Sequence, residues 1–147
     1  MNEIDVTAGP KVGVKETTIF SLLHAAHALE DRLEAALAAV ELSSPKYSVL
    51  TELVGADKPL SLGDLATRLS CVRSNMTQLV DRLEADGLVK RVDCPTDRRS
   101  VNAVITELGR TRQQAAVEAL ASLHSEFSAQ VGADDRAAME RLLRVLG

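Results

Sequence analysis

The stretch that most constrains the fold is residues 73–84, read as a helix. At about 3.6 residues per turn, its apolar residues fall on one stripe with the spacing of a helix that buries one face: Met76, Leu79, Val80 and Leu83. The opposite face carries side chains that can donate to phosphates and read base edges: Arg73, Ser74, Asn75, Thr77, Gln78 and Arg82. By itself the pattern fits either a helix that lies in a groove or an ordinary solvated face.

The flanking residues predict a helix-turn-helix followed by a hairpin. Ser61-Leu62-Gly63-Asp64 resembles a capping box that starts a short helix, and residues 70–72 turn the chain into the helix over 73–84. Gly87 ends that helix as a left-handed C-cap. Residues 88–93 and 100–105 have the composition and alternation of two strands. A basic hairpin directly after a helix-turn-helix is a wing.

The rest of the chain is predicted to be mostly helical. Residues 16–41 repeat apolar residues at helical spacing over a length that often reaches a partner chain. Ser44 is expected to be the N-cap of a second helix, with Pro45 in its first turn. Thr106 is expected to cap a long helix with four buried positions: Val117, Leu120, Leu123 and Phe127. A last helix after Gly132 carries an apolar seam: Met139, Leu142, Leu143 and Leu146.

Composition excludes several classes of protein. Aromatic residues make up 2% of the 147 residues, so stacking platforms for single-stranded nucleic acid are not expected. Two cysteines are too few for a secreted disulfide framework, and neither a membrane-spanning run nor a signal-peptide core is present, so we expect a soluble, cytoplasmic chain. Because the sequence has no Gly-rich phosphate loop or nucleophile elbow, neither an enzyme nor a cofactor is expected.

The charge is distributed unevenly along the chain. The totals are 17 Lys and Arg against 21 Asp and Glu, a net charge of −4. Residues 61–112 nevertheless hold nine of those basic residues and seven of the acidic ones, which leaves eight against fourteen for the remainder. The predicted helix-turn-helix and wing are therefore locally positive, as contact with phosphates requires.

Four motifs follow one another in a single register over roughly residues 44–112. They are Leu62-x-x-Leu65-Ala66-x-x-Leu69, then Arg73-Ser74-x-x-Thr77-x-Leu79-Val80-Asp81-Arg82-Leu83-Glu84-x-x-Gly87-Leu88-Val89-x-Arg91, then Pro95-x-Asp97-Arg98-Arg99, and Thr106-Glu107-x-Gly109. Together they resemble the MarR family of winged-helix transcriptional regulators. The sequence departs from the family's usual pattern at two positions, with Val72 in place of a Ser or Asp N-cap and Cys71 in place of Leu.

The resemblance implies a mainly α fold with a small β wing and a division of labour along the chain. Residues 1–15 would form a flexible N-terminal arm, residues 43–105 a winged helix-turn-helix DNA-binding domain, and residues 16–42 and 106–147 dimerisation helices. It further implies a homodimer on a pseudo-palindromic double-stranded DNA operator, acting as a repressor that a small-molecule effector modulates.

The resemblance also implies roles for individual residues. The major groove would receive Arg73, Ser74, Asn75, Thr77 and Gln78. Arg98 at the wing tip would reach the minor groove, and Asp97 would brace the wing by pairing with Arg99. Of Lys90 and Arg91, one is expected to face phosphate and the other solvent, while Arg82 either reaches phosphate or pairs with Asp86.

The sequence is compatible with several means of regulation. An effector pocket is expected to be lined by Leu23, His27, Tyr47 and Leu50. His24 and His27 have a spacing at which two imidazoles can share a metal, but further ligands are not evident, so no metal site is assigned. Oxidation of Cys71 or Cys94 is an alternative means of control. A winged helix that docks onto a protein instead of DNA is a further alternative.

Overall fold

The computed structural model describes residues 14–97 and 100–147, with side chains from residue 18 onward. In chain order the elements are α1 (Val14–Ala38), α2 (Ser44–Ala56), β1 (Leu60–Ser61), α3 (Leu62–Arg68), α4 (Arg73–Ala85), β2 (Val89–Asp93), β3 (Val101–Ile105), α5 (Glu107–Gln130) and α6 (Ala133–Leu146). The predicted fold class, mainly α with a small β wing, is confirmed. None of the described helices is long and apolar enough to cross a membrane.

The chain divides into two compact units, with the boundary between Arg32 and Leu33. In the first unit, the described part of α1 exposes large apolar side chains: Ile19, Phe20, Leu22, Leu23 and Leu29. Most of the predicted N-terminal arm, residues 1–13, lies outside the described residues. Arg98 and Arg99 lie outside them as well.

The core of the second unit is built around α4. Met76, Val80 and Leu83 have no exposed surface and Leu79 is half-buried, so the predicted apolar stripe is confirmed. Buried residues of α2, α3, the sheet and the turn before β2 belong to the same core: Val49, Leu50, Leu53, Leu65, Leu88, Val89, Ala103 and Ile105. Because this stripe is sealed in the core, the polar face of α4 points away from it.

The wing contains one strand more than the sequence indicated. The strand order is β1-β3-β2, and both pairs are antiparallel. Strand β1 is two residues long and pairs Leu60 with Ala103. Leu60 is almost fully buried, so this short strand fastens the start of the helix-turn-helix to the wing.

Two sequence predictions about the helices were wrong. Ser43 rather than Ser44 is the N-cap of α2, and the Ser44 backbone N–H donates to the Glu34 carboxylate at 3.2 Å. Val117 on α5 is 38% exposed and the other three predicted positions are half-buried: Leu120, Leu123 and Phe127. The buried residues of this helix are Gly109, Gln113 and Ala116. The winged domain is too small to cover the whole length of α5, so its core takes only the first part of that helix.

The start of α5 touches the start of β2 with almost no space between them. Thr106 caps the helix by accepting the Gly109 N–H at 3.0 Å, while its hydroxyl donates to the Gly87 carbonyl at 2.6 Å. A Cβ at Gly109 would lie 2.1 Å from the Leu88 carbonyl oxygen and 2.7 Å from Ile105 Cγ1. Only glycine therefore permits this approach of helix to strand.

We expect Gly109→Ala to lower the free energy of unfolding by about 1–3 kcal/mol, because the backbone of Leu88 must move to admit the methyl group. The matched control is Gly55→Ala, at an exposed helical position with no atom within 4 Å of the added Cβ. That change is expected to be neutral or slightly stabilising. Urea unfolding at one fixed protein concentration measures both, and equal midpoints for the two variants would contradict the close approach.

Candidate nucleic-acid interface

Backbone geometry sets the angle at which α4 leaves α3. Ser61 caps α3 by accepting the Asp64 N–H at 3.0 Å, as the capping-box motif predicts. Asp64 Oδ2 accepts the Ser61 hydroxyl hydrogen at 2.8 Å, and not the Ser61 backbone N–H that a full capping box would use. At the other end Ser70 adopts a left-handed conformation with φ of 50°. The Cys71 N–H donates to the Ala66 carbonyl at 2.8 Å and the Ser70 N–H to Thr67 at 3.2 Å, which is the Schellman pattern.

The N-terminus of α4 begins without a side-chain cap. Val72 occupies the N-cap position in an extended conformation, and its side chain is 62% exposed. A missing cap costs about 1 kcal/mol, and the burial of Met76 one turn later compensates by fixing the helix to the core. The uncapped N–H groups and the positive end of the helix dipole remain open to an anion such as phosphate.

The polar face of α4 is exposed at each position that the sequence singled out: Arg73, Ser74, Asn75, Thr77, Gln78 and Arg82. Asn75, Gln78 and Arg82 line one groove of about 280 Å³ together with Pro45 and Leu79. Thr77 donates its hydroxyl to the Arg73 carbonyl at 3.0 Å, which leaves its oxygen as an acceptor. The structure thus brings these six side chains onto one outward surface.

Arg82 and Asp86 do not form the pair that was one of the two predicted alternatives. Asp86 instead accepts a hydrogen bond from Lys46 Nζ at 2.5 Å, an ion pair that ties the end of α4 to the start of α2. Arg82 lies on the exposed face with Asn75 and Gln78. The other alternative, contact with phosphate, stays a prediction.

The two basic residues of β2 have different surroundings. Lys90 is exposed, whereas Arg91 is half-buried and paired with Asp81 and Glu84 of α4. The sequence reasoning missed this pairing, although the spacing of Asp81 and Glu84 on one helix face, followed shortly by Arg91, is a signal that could have indicated it. Asp97 is exposed at the wing turn, and its predicted pairing with Arg99 lies outside the described residues.

The predicted effector residues fall in both compact units. Leu23 is 49% exposed on α1, and His27 Nδ1 lies 2.7 Å from the Leu23 carbonyl oxygen, where an Nδ1–H donates to it. In the other unit Tyr47 is half-buried against the core and Leu50 is fully buried. The effector pocket therefore stays a prediction.

The residues considered for metal or thiol sensing have the following surroundings. Among residues 14–97 and 100–147, no group of three or more His, Cys, Asp or Glu is arranged to hold a metal ion. Cys71 is half-buried behind α4 and donates its thiol hydrogen to the Val72 carbonyl at 3.4 Å. Cys94 is half-buried at the start of the wing turn. Hydrogen bonds from the Thr96 side chain and backbone, and from the Asp97 backbone, lower its pKa.

We expect Thr96→Val to raise the pKa of Cys94, because the Thr96 hydroxyl lies 3.3 Å from Sγ and favours the thiolate. The measurement is the pH dependence of iodoacetamide alkylation on a Cys71→Ser background, which leaves Cys94 as the reactive thiol. The alkylation profile should move to higher pH in Thr96→Val and stay in place in Thr67→Val, whose hydroxyl bonds within α3. If the alkylation profile of Thr96→Val stays at the wild-type pH, the Thr96 hydroxyl does not lower the pKa of Cys94.

Comparison with known proteins gives one consistent result. Residues 42–101 match the model of the MarR family. The HTH-type transcriptional regulator TtmR of Methylorubrum extorquens (strain PA1) is 36% identical over 91 residues, which is 62% of this chain and 46% of TtmR. The chain thus spans about half the length of the curated relatives it matches.

Solved structures agree with this result over nearly the whole chain. AbsC, a MarR family transcriptional regulator from Streptomyces coelicolor, superposes with a TM-score of 0.75 at 25% identity, covering 94% of this chain and 95% of AbsC. The transcriptional repressor CouR, in a structure bound to a 23-mer DNA duplex, gives a TM-score of 0.77 at 27% identity, covering 92% and 98%. These relatives and structures are described as transcriptional regulators, which agrees with the expectation that the chain is not an enzyme. The register of motifs, the match over residues 42–101 and the likeness to these solved structures all indicate that the chain is similar to the MarR family.

Proposed function

We propose that the chain is a sequence-specific regulator of transcription that binds double-stranded DNA as a homodimer and represses its target genes. The observation that carries this proposal is the outward polar face of α4. Met76, Val80 and Leu83 of its apolar stripe are fully buried, so its Arg, Asn and Gln side chains are held at the surface beside the wing. The structure of CouR on DNA supports a DNA ligand, and the description of CouR as a repressor supports repression.

The groove contacts follow from that arrangement. Arg73, Asn75 and Gln78 read base edges in the major groove, while Ser74 and Thr77 contact phosphates. Arg82 and Lys90 are exposed cations that add phosphate contacts at the periphery. Arg98, at the wing tip, enters the minor groove, where Arg is favoured by the negative potential. Residues 43–105 form the DNA-binding domain in this assignment.

Dimerisation is supported by apolar surface that a monomer would leave in water. Among the described residues α6 buries none, and its seam is 38% to 61% exposed: Met139, Leu142, Leu143 and Leu146. An exposed apolar seam of this size marks a protein interface. In the proposed dimer, residues 16–42 and 106–147 supply the contacts. Two-fold symmetry then presents the recognition helices to half-sites roughly 34–36 Å apart.

Effector control is the remaining part of the proposal. A small molecule bound to the dimer would alter the spacing of the two recognition helices. This requires a different affinity of the ligand for the DNA-binding spacing and for the alternative spacing.

We expect Arg73→Ala and Arg98→Ala each to weaken binding to a duplex enriched by the wild-type chain from a random-sequence library. The loss should be about tenfold, because each arginine supplies a charge-assisted contact to base or phosphate. If the removed arginine also neutralises a phosphate in each protomer of the dimer, the slope of log K against log salt should fall by about 1.8, whereas loss of a base contact alone should change it little. Fluorescence anisotropy over a salt series measures both quantities.

The matched control for this experiment is Arg110→Ala. Arg110 lies at the start of α5, 3.8 Å from the mostly exposed Asp57, and is not among the residues proposed to contact DNA. Sedimentation must show that all variants keep the wild-type oligomeric state. If Arg73→Ala and Arg98→Ala bind like wild type, the polar face is a docking surface for protein or has another role, and the DNA interface is wrong.

We expect Leu143→Asp to weaken the dimer by on the order of tenfold or more, because it puts a carboxylate into the apolar seam of α6. Arg141→Asp changes the opposite side of the same helix and should leave the dimer intact, which separates an interface effect from loss of helix propensity. Sedimentation velocity over a concentration series distinguishes the two variants. A Leu143→Asp chain that sediments like wild type at every concentration would rule out α6 as the interface.

A further inference from the structure

Arg91 joins the wing to the recognition helix through three hydrogen bonds. Its backbone N–H donates to Glu84 Oε1 at 3.2 Å, and its Nη1 donates to Glu84 Oε2. Its Nη2 donates to Asp81 Oδ1 at 2.5 Å. Asp81 and Glu84 are three residues apart on α4 and so share one helix face. One strand residue is therefore bonded to two positions of the helix that is proposed to read DNA.

The surroundings keep the Arg91 guanidinium charged and oriented. Burial lowers its pKa, but the hydrogen bonds and charges of Asp81 and Glu84 outweigh burial and raise the pKa overall. The Arg91 side chain is 25% exposed, against 58% for Asp81 and 40% for Glu84. A planar guanidinium fits two carboxylates in a fixed fork, which a lysine ammonium cannot reproduce. Both Nη1 and Nη2 of Arg91 thus already donate hydrogen bonds to carboxylates within the protein.

We propose that Arg91 is a positioning residue for DNA recognition, which fixes the wing against α4 and makes no phosphate contact of its own. The inference rests on the DNA-binding function proposed above. It also assigns the choice between the two basic residues of β2: Lys90 faces the phosphate backbone, and Arg91 faces Asp81 and Glu84.

A fixed angle matters because a specific site requires the wing and the helix to fit two grooves at once. A wing that moved freely would have to be ordered on binding, at a cost in conformational entropy. Non-specific binding depends on phosphate contacts that adapt to any register, so it is much less sensitive to that angle. Losing the Arg91 bridge should therefore reduce sequence preference while leaving the number of phosphate contacts unchanged.

The test is a mutant cycle with Arg91→Gln, the pair Asp81→Asn/Glu84→Gln, and the triple variant. The probes are the duplex enriched by the wild-type chain and a random-sequence duplex of equal length. We expect Arg91→Gln to reduce the preference for the enriched duplex by about tenfold, with an unchanged salt slope. In the background lacking both carboxylates, Arg91→Gln should have almost no further effect on that preference, because the bridge is already absent.

Two further variants separate positioning from charge. Arg91→Lys keeps the charge but cannot hold both carboxylates, so it should lose preference like Arg91→Gln. Arg110→Gln removes an exposed cation that is not proposed to contact DNA, and should change neither the preference nor the salt slope. Thermal unfolding is recorded for all variants, and the binding assays are run well below the lowest midpoint.

Each other outcome has a definite meaning. A salt slope that falls by about 1.8 in Arg91→Gln, one phosphate for each protomer of the dimer, with a loss that persists without the carboxylates, makes Arg91 a phosphate contact and overturns the proposal. An Arg91→Gln chain with the preference of wild type also overturns it, as does an Arg91→Lys chain that retains full preference. If the wild-type chain enriches no duplex at all, the proposed function fails first and the inference fails with it.

Discussion

Burial of the apolar stripe of α4 is the constraint on which the rest of the structure depends. Met76, Val80 and Leu83 are sealed against α2, α3 and the sheet, so α4 has one permitted rotation about its own axis. Rotating the helix by a single residue would expose part of this stripe and bury Arg or Gln, which costs several kcal/mol through lost apolar burial and unpaired polar groups. The orientation of the polar face is therefore set by the core behind it.

Periodicity in the sequence predicted this stripe because a helix that buries one face must repeat its apolar residues every three or four positions. The residue types at helix ends predicted the Gly87 stop and the Ser61 cap, because both depend on local chemistry alone. Periodicity failed for β1, since a two-residue strand is too short to show alternation. It also failed for Val117, because periodicity shows which face of a helix is apolar and not what covers that face.

The ion pairs were the least predictable part of the site, since they join residues on different elements. The sequence presented Asp86 as a partner for Arg82 on the same helix, yet Lys46 on α2 takes that carboxylate. Arg91 looked like an exposed cation on a strand, yet α4 supplies two carboxylates for it. A helical spacing predicts only pairs within a helix. Which cations remain available for phosphate depends on tertiary packing.

The distribution of charge bears on specificity as well as affinity. Residues 61–112 hold nine basic and seven acidic residues, while the chain as a whole carries −4. Because α4 also carries Asp81 and Glu84, the proposed interface is only weakly positive, and pairing with Arg91 is what limits the repulsion of phosphate by these carboxylates. A weakly positive surface binds arbitrary DNA poorly, since non-specific affinity comes from phosphate contacts. Base contacts by the polar face must then supply a larger share of the binding free energy, which favours discrimination between sites over general attraction to DNA.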